Sequence, residues 1–398
     1  MQFDIIWLLL AMPLAFVLGW LASRFDFQQL RLQNRRSPKA YFRGLNHLLR
    51  GQNDAAVAEF EQAVRNDPDT PELQFALGHL FRERGQYSPA VRLHQHLLMR
   101  ADLSQAERDR AQHALAMDYS RAGILDRAEA ALLRLEGTAH QSYGRQIRLA
   151  IYERLRDWPQ AAAVAQQLQA ENPQLYTRRL SHYLCEQAQQ LQATQPAVAL
   201  ALLAQAREHD RLAPRPWVES ALAALAAGQG ADAAQAFAAL AALEGDWLAL
   251  VALAFAQAWN SDENQLKPHI NLPEQLSKAY QSNPNIDTLQ AVLLLQVHAQ
   301  TETSGQPEQD GSDIAAGQYL GHLQRKPSLL AVTRWLEAKA EGMHTLLPQE
   351  VVRALQKTAQ PLLRYRCTAC GFEGQRHYWH CPGCQAWDAY APLRVEDL

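Results

Sequence analysis

Aromatic residues are scarce in this 398-residue chain, at 8%, while Ala, Leu and Gln recur throughout. That balance disfavours sheet-built folds and suits long stacks of helices. Cysteine is scarcer still, with five in all and four of them confined to 367–384. None are spread through the body to staple loops, so the body reads as a reduced, cytosolic protein. The fifth, Cys185 in S-H-Y-L-C-E-Q-A, reads as a small core residue of a helix. Net charge is nearly absent at −3, which gives no general attraction to nucleic acid. Catalytic signatures are missing as well: there is no Gly-rich phosphate loop, no G-x-S-x-G and no H-E-x-x-H. Histidines such as His79, His94, His96 and His113 recur without a carboxylate or cysteine at ligand spacing. The chain reads as a binder, not an enzyme.

Charge is lacking altogether between Asp4 and Arg24, where residues 5–23 form one apolar run. At about 1.5 Å per residue a helix of this length spans a hydrocarbon core of about 30 Å. Trp7 and Trp20 lie near its ends, where indoles favour the membrane interface. A cleavable signal peptide carries basic residues before its apolar stretch, but here they follow it: Arg24, Arg31, Arg35, Arg36, Lys39 and Arg43. The positive-inside rule then predicts a single-pass anchor with an external N-terminus and a cytoplasmic body.

A self-similar period of about 34 residues comes next. Gly44 recurs as Gly78, and Ala56 recurs as Ala90. The first unit, Gly44 to Pro68, has the tetratricopeptide pattern: small Ala56, aromatic Phe60, Ala63 and a closing Pro68. In the second, Leu77 to Leu97, His94 stands at the aromatic position. Weaker copies carry Tyr119, Gly123 and Ala128, then Tyr152, Trp158, Ala161 and Pro173, then Ala199, Leu203 and Ala206, then Trp217, Ala233 and Phe237. Small residues let antiparallel helices approach, and an aromatic ring fills the space beside them. No unit buries its face alone, so the prediction is an all-α superhelix. Its concave lining, by the same register, takes Tyr41, Phe75, His79, Arg82, Arg110, His113, Met117 and Tyr143. Aromatic and basic groups so mixed suit a peptide or protein partner of some acidic character.

Segment boundaries follow: anchor 1–23, basic juxtamembrane linker 24–39, repeats 40–245, degenerate helical repeats 246–360 and a terminal module 361–398. Within the degenerate part, Thr301–Asp313 lacks large apolar residues and reads as a flexible loop. The terminal module holds Cys367, Cys370, Cys381 and Cys384 as C-x2-C-x10-C-x2-C, the spacing of a four-thiolate metal cage. Gly371, Pro382 and Gly383 suit its two tight knuckles. A closed thiolate shell leaves no open position for hydrolysis, so the ion is structural, either iron or zinc. His377 and His380 flank the second pair, but the cysteine set is already complete.

The order of anchor, repeats and R-Y-R-C-x-x-C-G-F…Y-W-H-C-P-x-C-x-A-W, from Arg364 to Trp387, resembles the lipopolysaccharide assembly protein B family of Gram-negative bacteria. The resemblance implies a rubredoxin-like terminal module packed against the repeats, with the metal on the four cysteines. It further implies an inner-membrane adaptor that brings the lipid A deacetylase LpxC to the protease FtsH. Two other readings stay open: a scaffold gathering lipopolysaccharide-synthesis proteins, and a rubredoxin-type electron carrier.

Overall fold

The computed structural model describes residues 16, 17, 20, 40–261, 265–304, 307–343 and 349–398. The apolar run 5–23 and the linker 24–39 lie outside these, apart from Phe16, Val17 and Trp20. Among the described residues no helix is long and apolar enough to cross a membrane. The chain divides into two compact units, Met1–Leu168 and Gln169–Leu398.

In the first unit helices follow one another as hairpins: α1 (40–49), α2 (Asn53–Asn66), α3 (Pro71–Glu83), α4 (Tyr87–Met99), α5 (Gln105–Arg121), α6 (Leu125–Leu133), α7 (Gln141–Leu155) and α8 (Trp158–Gln169). Ala40, Ala56, Phe60, Ala63, Leu73 and Leu77 make the first core. The spacing of Gly44 and Gly78 has a steric cause. A Cβ on Gly44 would lie 2.8 Å from the Phe60 ring, and one on Gly78 would collide with the His94 ring. Each glycine thus lets the next helix lay a ring against its backbone.

His94 keeps the packing role of the aromatic but adds a polar demand. Its Nδ1 lies 2.5 Å from Asp118 Oδ2, and Arg82 Nη1 lies 2.8 Å from the other oxygen. Asp118 is fully buried, so one carboxylate from α5 ties α3 and α4 together. Tight turns after α1, α3 and α5 place Gly51, Gly85 and Gly123 at φ 72, 71 and 76°. Arg156 occupies the equivalent turn after α7 at φ 56°, where a side chain is strained by about 1–2 kcal/mol.

The second unit continues the pattern with α9 (Pro173–Leu191), α10 (Pro196–His209), α11 (Pro214–Ala226), α12 (Gly230–Ala242), α13 (Ala249–Trp259), α14 (Leu272–Ser282), α15 (Ile286–Ser304), α16 (Pro307–Arg325), α17 (Leu329–Met343) and α18 (Gln349–Ala359). Its core runs from Phe237 and Phe255, 4.8 Å apart, through Leu272, Leu276 and Leu289. Cys185 is buried beside Leu184, Ala199 and Leu203, and burial pushes its thiol well up, which leaves it inert.

The stretch Thr301–Asp313, expected as a flexible loop, is instead occupied by helix at both ends: α15 runs through Ser304 and α16 starts at Pro307. Proline at a first helical turn loses nothing, because that N–H has no partner inside the helix. Gly311 lets α16 approach α15, since a Cβ there would stand 3.1 Å from Val297 Cγ1. Ala316, Tyr319 and His322 then bury the second half of α16.

Gly78→Ala is the sharpest test of this packing. Glycine to alanine in a helix ordinarily stabilises by about 1 kcal/mol. Here the collision with His94 should reverse the sign and cost about 1–3 kcal/mol. Thermal unfolding would read the loss, and His94→Ala in the same chain should recover part of it.

Candidate metal centre and its seat on the helices

The terminal module is built on one short hairpin, β1 (Tyr365–Arg366) against β2 (Glu373–Gly374), antiparallel with Tyr365 opposite Gly374. Two knuckles of the same shape carry the cysteines. In the first, Gly371 at φ 77° turns its N–H back to Cys367 O at 2.9 Å. In the second, Gln385 at φ 60° turns its N–H to Cys381 O, also at 2.9 Å. The four sulfurs lie within 4.8 Å of one another, with Cys367–Cys384 at 3.8 Å and Cys370–Cys381 at 3.7 Å. Metal–sulfur bonds of about 2.3 Å in a tetrahedron place sulfurs about 3.8 Å apart. A disulfide would need about 2.05 Å. The residues therefore fit one tetrahedral thiolate-bound ion.

Electrostatics agree. Burial opposes a Cys381 thiolate, yet the amides of Cys384 and Gly383 hold it down at about 6. The Phe372 amide favours the Cys370 thiolate, but the three other sulfurs push its thiol up to about 12. Four anions at this spacing need a cation among them. Neither flanking histidine joins the set. His377 is pushed down to about 4 by burial and its Nε2 donates to Tyr390 O at 3.2 Å, while His380 stacks on Trp387 at 4.3 Å.

The module is fastened to the helices by its rings and its tail. Trp387 stacks on His182 of α9 at 4.7 Å, with the Arg215 guanidinium 5.9 Å from its ring centre. His182 Nε2 donates to Asp388 at 2.9 Å. Arg215, though buried, is neutralised by Glu186 at 2.8 Å and Glu219 at 2.6 Å. Trp379 stacks on Trp247 at 5.5 Å and packs on the main core. Downstream, Arg394 pairs with Asp287 at 2.8 Å and lies 4.2 Å over Tyr365. Glu396 accepts from the Leu329 and Leu330 amides at the start of α17, at 2.5 and 3.0 Å. Asp397 binds Lys326 at 2.6 Å and meets the Ile286 amide of α15 at 3.4 Å. Carboxylates at helix N-termini meet unpaired N–H groups there. The tail fastening left no motif in the sequence; its only trace is acidic residues after the last ligand.

Of the residues expected to line a partner face, Arg82, Arg110, His113, Met117 and Tyr143 are brought together on α3, α5 and α7. Arg110 lies 4.3 Å over Phe75, which is itself only 5% exposed and so offers little contact surface. His113 stacks on His140 at 5.0 Å and meets Tyr143 edge-on at 4.9 Å, and the Tyr143 hydroxyl donates to Met117 Sδ at 3.9 Å. His79 is exposed on α3. Tyr41 stands apart from these, packed edge-on against Phe60 at 5.8 Å. His140 was missed because it precedes α7 in a turn, outside the helical register.

Fold and site define a helical-repeat protein that carries a four-thiolate ribbon. A family model described as a rubredoxin metal binding domain matches residues 365–392. The chain is 28% identical to lipopolysaccharide assembly protein B of Escherichia coli (strain K12), over 98% of each chain. It is 26% identical to the protein of that name from Haemophilus influenzae, again over 98% of each. Among solved structures, a tetratricopeptide repeat protein from Parabacteroides merdae has 13% identity and a TM-score of 0.33, covering 66% of this chain and 99% of that one. The resemblance to the lipopolysaccharide assembly protein B family, first read from Arg364–Trp387, thus holds along the whole chain.

Two outcomes follow from the ribbon. Stripping the ion with a chelator, or Cys381→Ser, should unfold 365–392 and shift the emission of Trp247, Trp379 and Trp387 to the red, while circular dichroism keeps its helical signal. Unchanged emission would mean the ribbon folds without an ion. The seat should also be acid-sensitive, because burial outweighs Asp388 and pushes His182 below its usual value of 6.5. A histidine favoured neutral stabilises the folded state fully above the unfolded value and loses that contribution as pH falls below it. With metal in excess, melting temperature should therefore drop between pH 7.5 and 5.5, and drop less in His182→Gln.

Proposed function

We propose that this protein is a membrane-anchored adaptor in the control of lipopolysaccharide synthesis. Its anchor, residues 5–23, holds it in the inner membrane with the helical body on the cytoplasmic side. The body receives the lipid A deacetylase LpxC and presents it to the protease FtsH, and the chain itself turns nothing over. The observation that carries this reading is the end-to-end match to proteins named lipopolysaccharide assembly protein B, with the ribbon included. The residues support it physically. Tethering adaptor and protease in one membrane raises their effective concentration without a large interface. Four protein thiolates around one ion leave no coordination position for a substrate, which suits a structural ribbon.

Deacetylase half-life decides the matter. Depleting this protein in its host should lengthen LpxC half-life several-fold, and Cys381→Ser should do the same. A half-life indifferent to depletion would favour a scaffold that gathers synthesis enzymes without delivering any to a protease.

A further inference from the structure

Between α17 and α18 lies a cavity of about 400 Å³ whose lining carries more positive charge than the chain neutralises. Arg334 of α17 and Arg353 and Lys357 of α18 border it, against Glu337 as the single carboxylate of the lining. Both oxygens of that carboxylate are already engaged. Arg334 Nη1 donates to one at 2.8 Å, and Gln356 Nε2 donates to the other at 2.9 Å. Arg353 and Lys357 are exposed and form no ion pair among the described residues. They stand one helical turn apart on α18, a like-charge pair that destabilises a helix unless an anion meets it. The floor beside them is apolar: Leu330 and Ala359 are buried, and Leu363 is half-buried.

We propose that this cavity binds a phosphate monoester, with the phosphate on Arg353 and Lys357 and the organic part on the apolar floor. The site goes beyond the adaptor reading and does not depend on it. Charge selects the ligand class. Once Glu337 has neutralised Arg334, two cations remain, matching the charge of about −1.5 to −2 on a monoester near pH 7. Shape agrees with charge: a guanidinium offers paired N–H donors to two phosphate oxygens, and an ammonium meets a third as a point charge. A carboxylate brings one charge and two oxygens only. The volume falls within the range of about 300–1,000 Å³ typical of small-molecule sites. Occupancy also reaches the ribbon. From α18 the chain passes through the turn Gln360–Leu363 into β1, and Leu363 O accepts from Arg394 Nη1 at 2.6 Å. A bound phosphate steadies the helix from which the ribbon starts.

A soluble ester and a lipid headgroup share this phosphate chemistry, and the test separates them. Full-length, metal-loaded protein in nanodiscs of neutral lipid is titrated by calorimetry with n-butyl phosphate and with pentanoate. Butyl phosphate should saturate one site and bind at least tenfold more tightly than pentanoate. Arg353→Gln combined with Lys357→Gln should weaken it at least tenfold. Arg154→Gln, an exposed charge of α7 away from the cavity, should change it less than twofold. Without ligand the double variant should keep its metal and melt no lower than the parent, because a repulsion has been removed. No saturable binding of butyl phosphate overturns the proposal. So does pentanoate binding as tightly, and so does an equal loss in Arg154→Gln. Given butyl phosphate binding, vesicles containing phosphatidic acid assign the source. Cosedimentation that the double variant loses points to a lipid headgroup, and no cosedimentation points to a soluble ester.

Discussion

Two unit charges 3.8 Å apart repel by about 4 kcal/mol at an effective dielectric of 20. The ribbon sets four sulfurs at that kind of spacing. Its scaffold is two strands of two residues each, far too little to oppose such repulsion or to stand alone. A central cation turns the same geometry from the worst feature of the module into its strongest, and structural sites of this kind contribute about 10–16 kcal/mol in small peptides. Everything the terminal module does for the rest of the chain hangs on that reversal. Trp387, Trp379, Arg394 and Glu396 reach the helices only from a folded ribbon.

The seat is polar where a plain core would have been simpler. Arg215 is buried against the half-buried Glu186 and Glu219, and His182 against the half-buried Asp388. Buried ionic groups seldom add net stability over well-packed apolar ones. What they supply here is discrimination. A slip of the ribbon by one position would part Asp388 from His182 and Arg178, whereas Trp387 alone would tolerate several placements on α9.

Much of this was legible in the chain. The thiolate spacing identifies the ligands without ambiguity, because the chemistry of a tetrahedral site requires two knuckles and little else. The period of 34 is legible because Gly44 and Gly78 answer to rings, and steric constraints leave a residue-by-residue trace. The identity of a ring's polar partner leaves none: nothing about Asp118 announces that it would serve His94 and Arg82 together. The helix that starts at Pro307 was hidden for another reason. Its approach to α15 is made by Gly311, which carries no hydrophobic signal. Surface residues on the first unit follow the helical register until the register ends, which is where His140 lies.

The contacts that seat the ribbon also impose an order of assembly. Within the repeats, rings meet backbones in neighbouring helices, so local segments organise early at little entropic expense. The bond from His182 to Asp388 instead joins positions 206 apart, and that from Asp287 to Arg394 joins positions 107 apart. Closing loops of that length comes late, after the helices they bridge have formed. Metal arrival is thereby a finishing step, completing a chain whose repeats already stand.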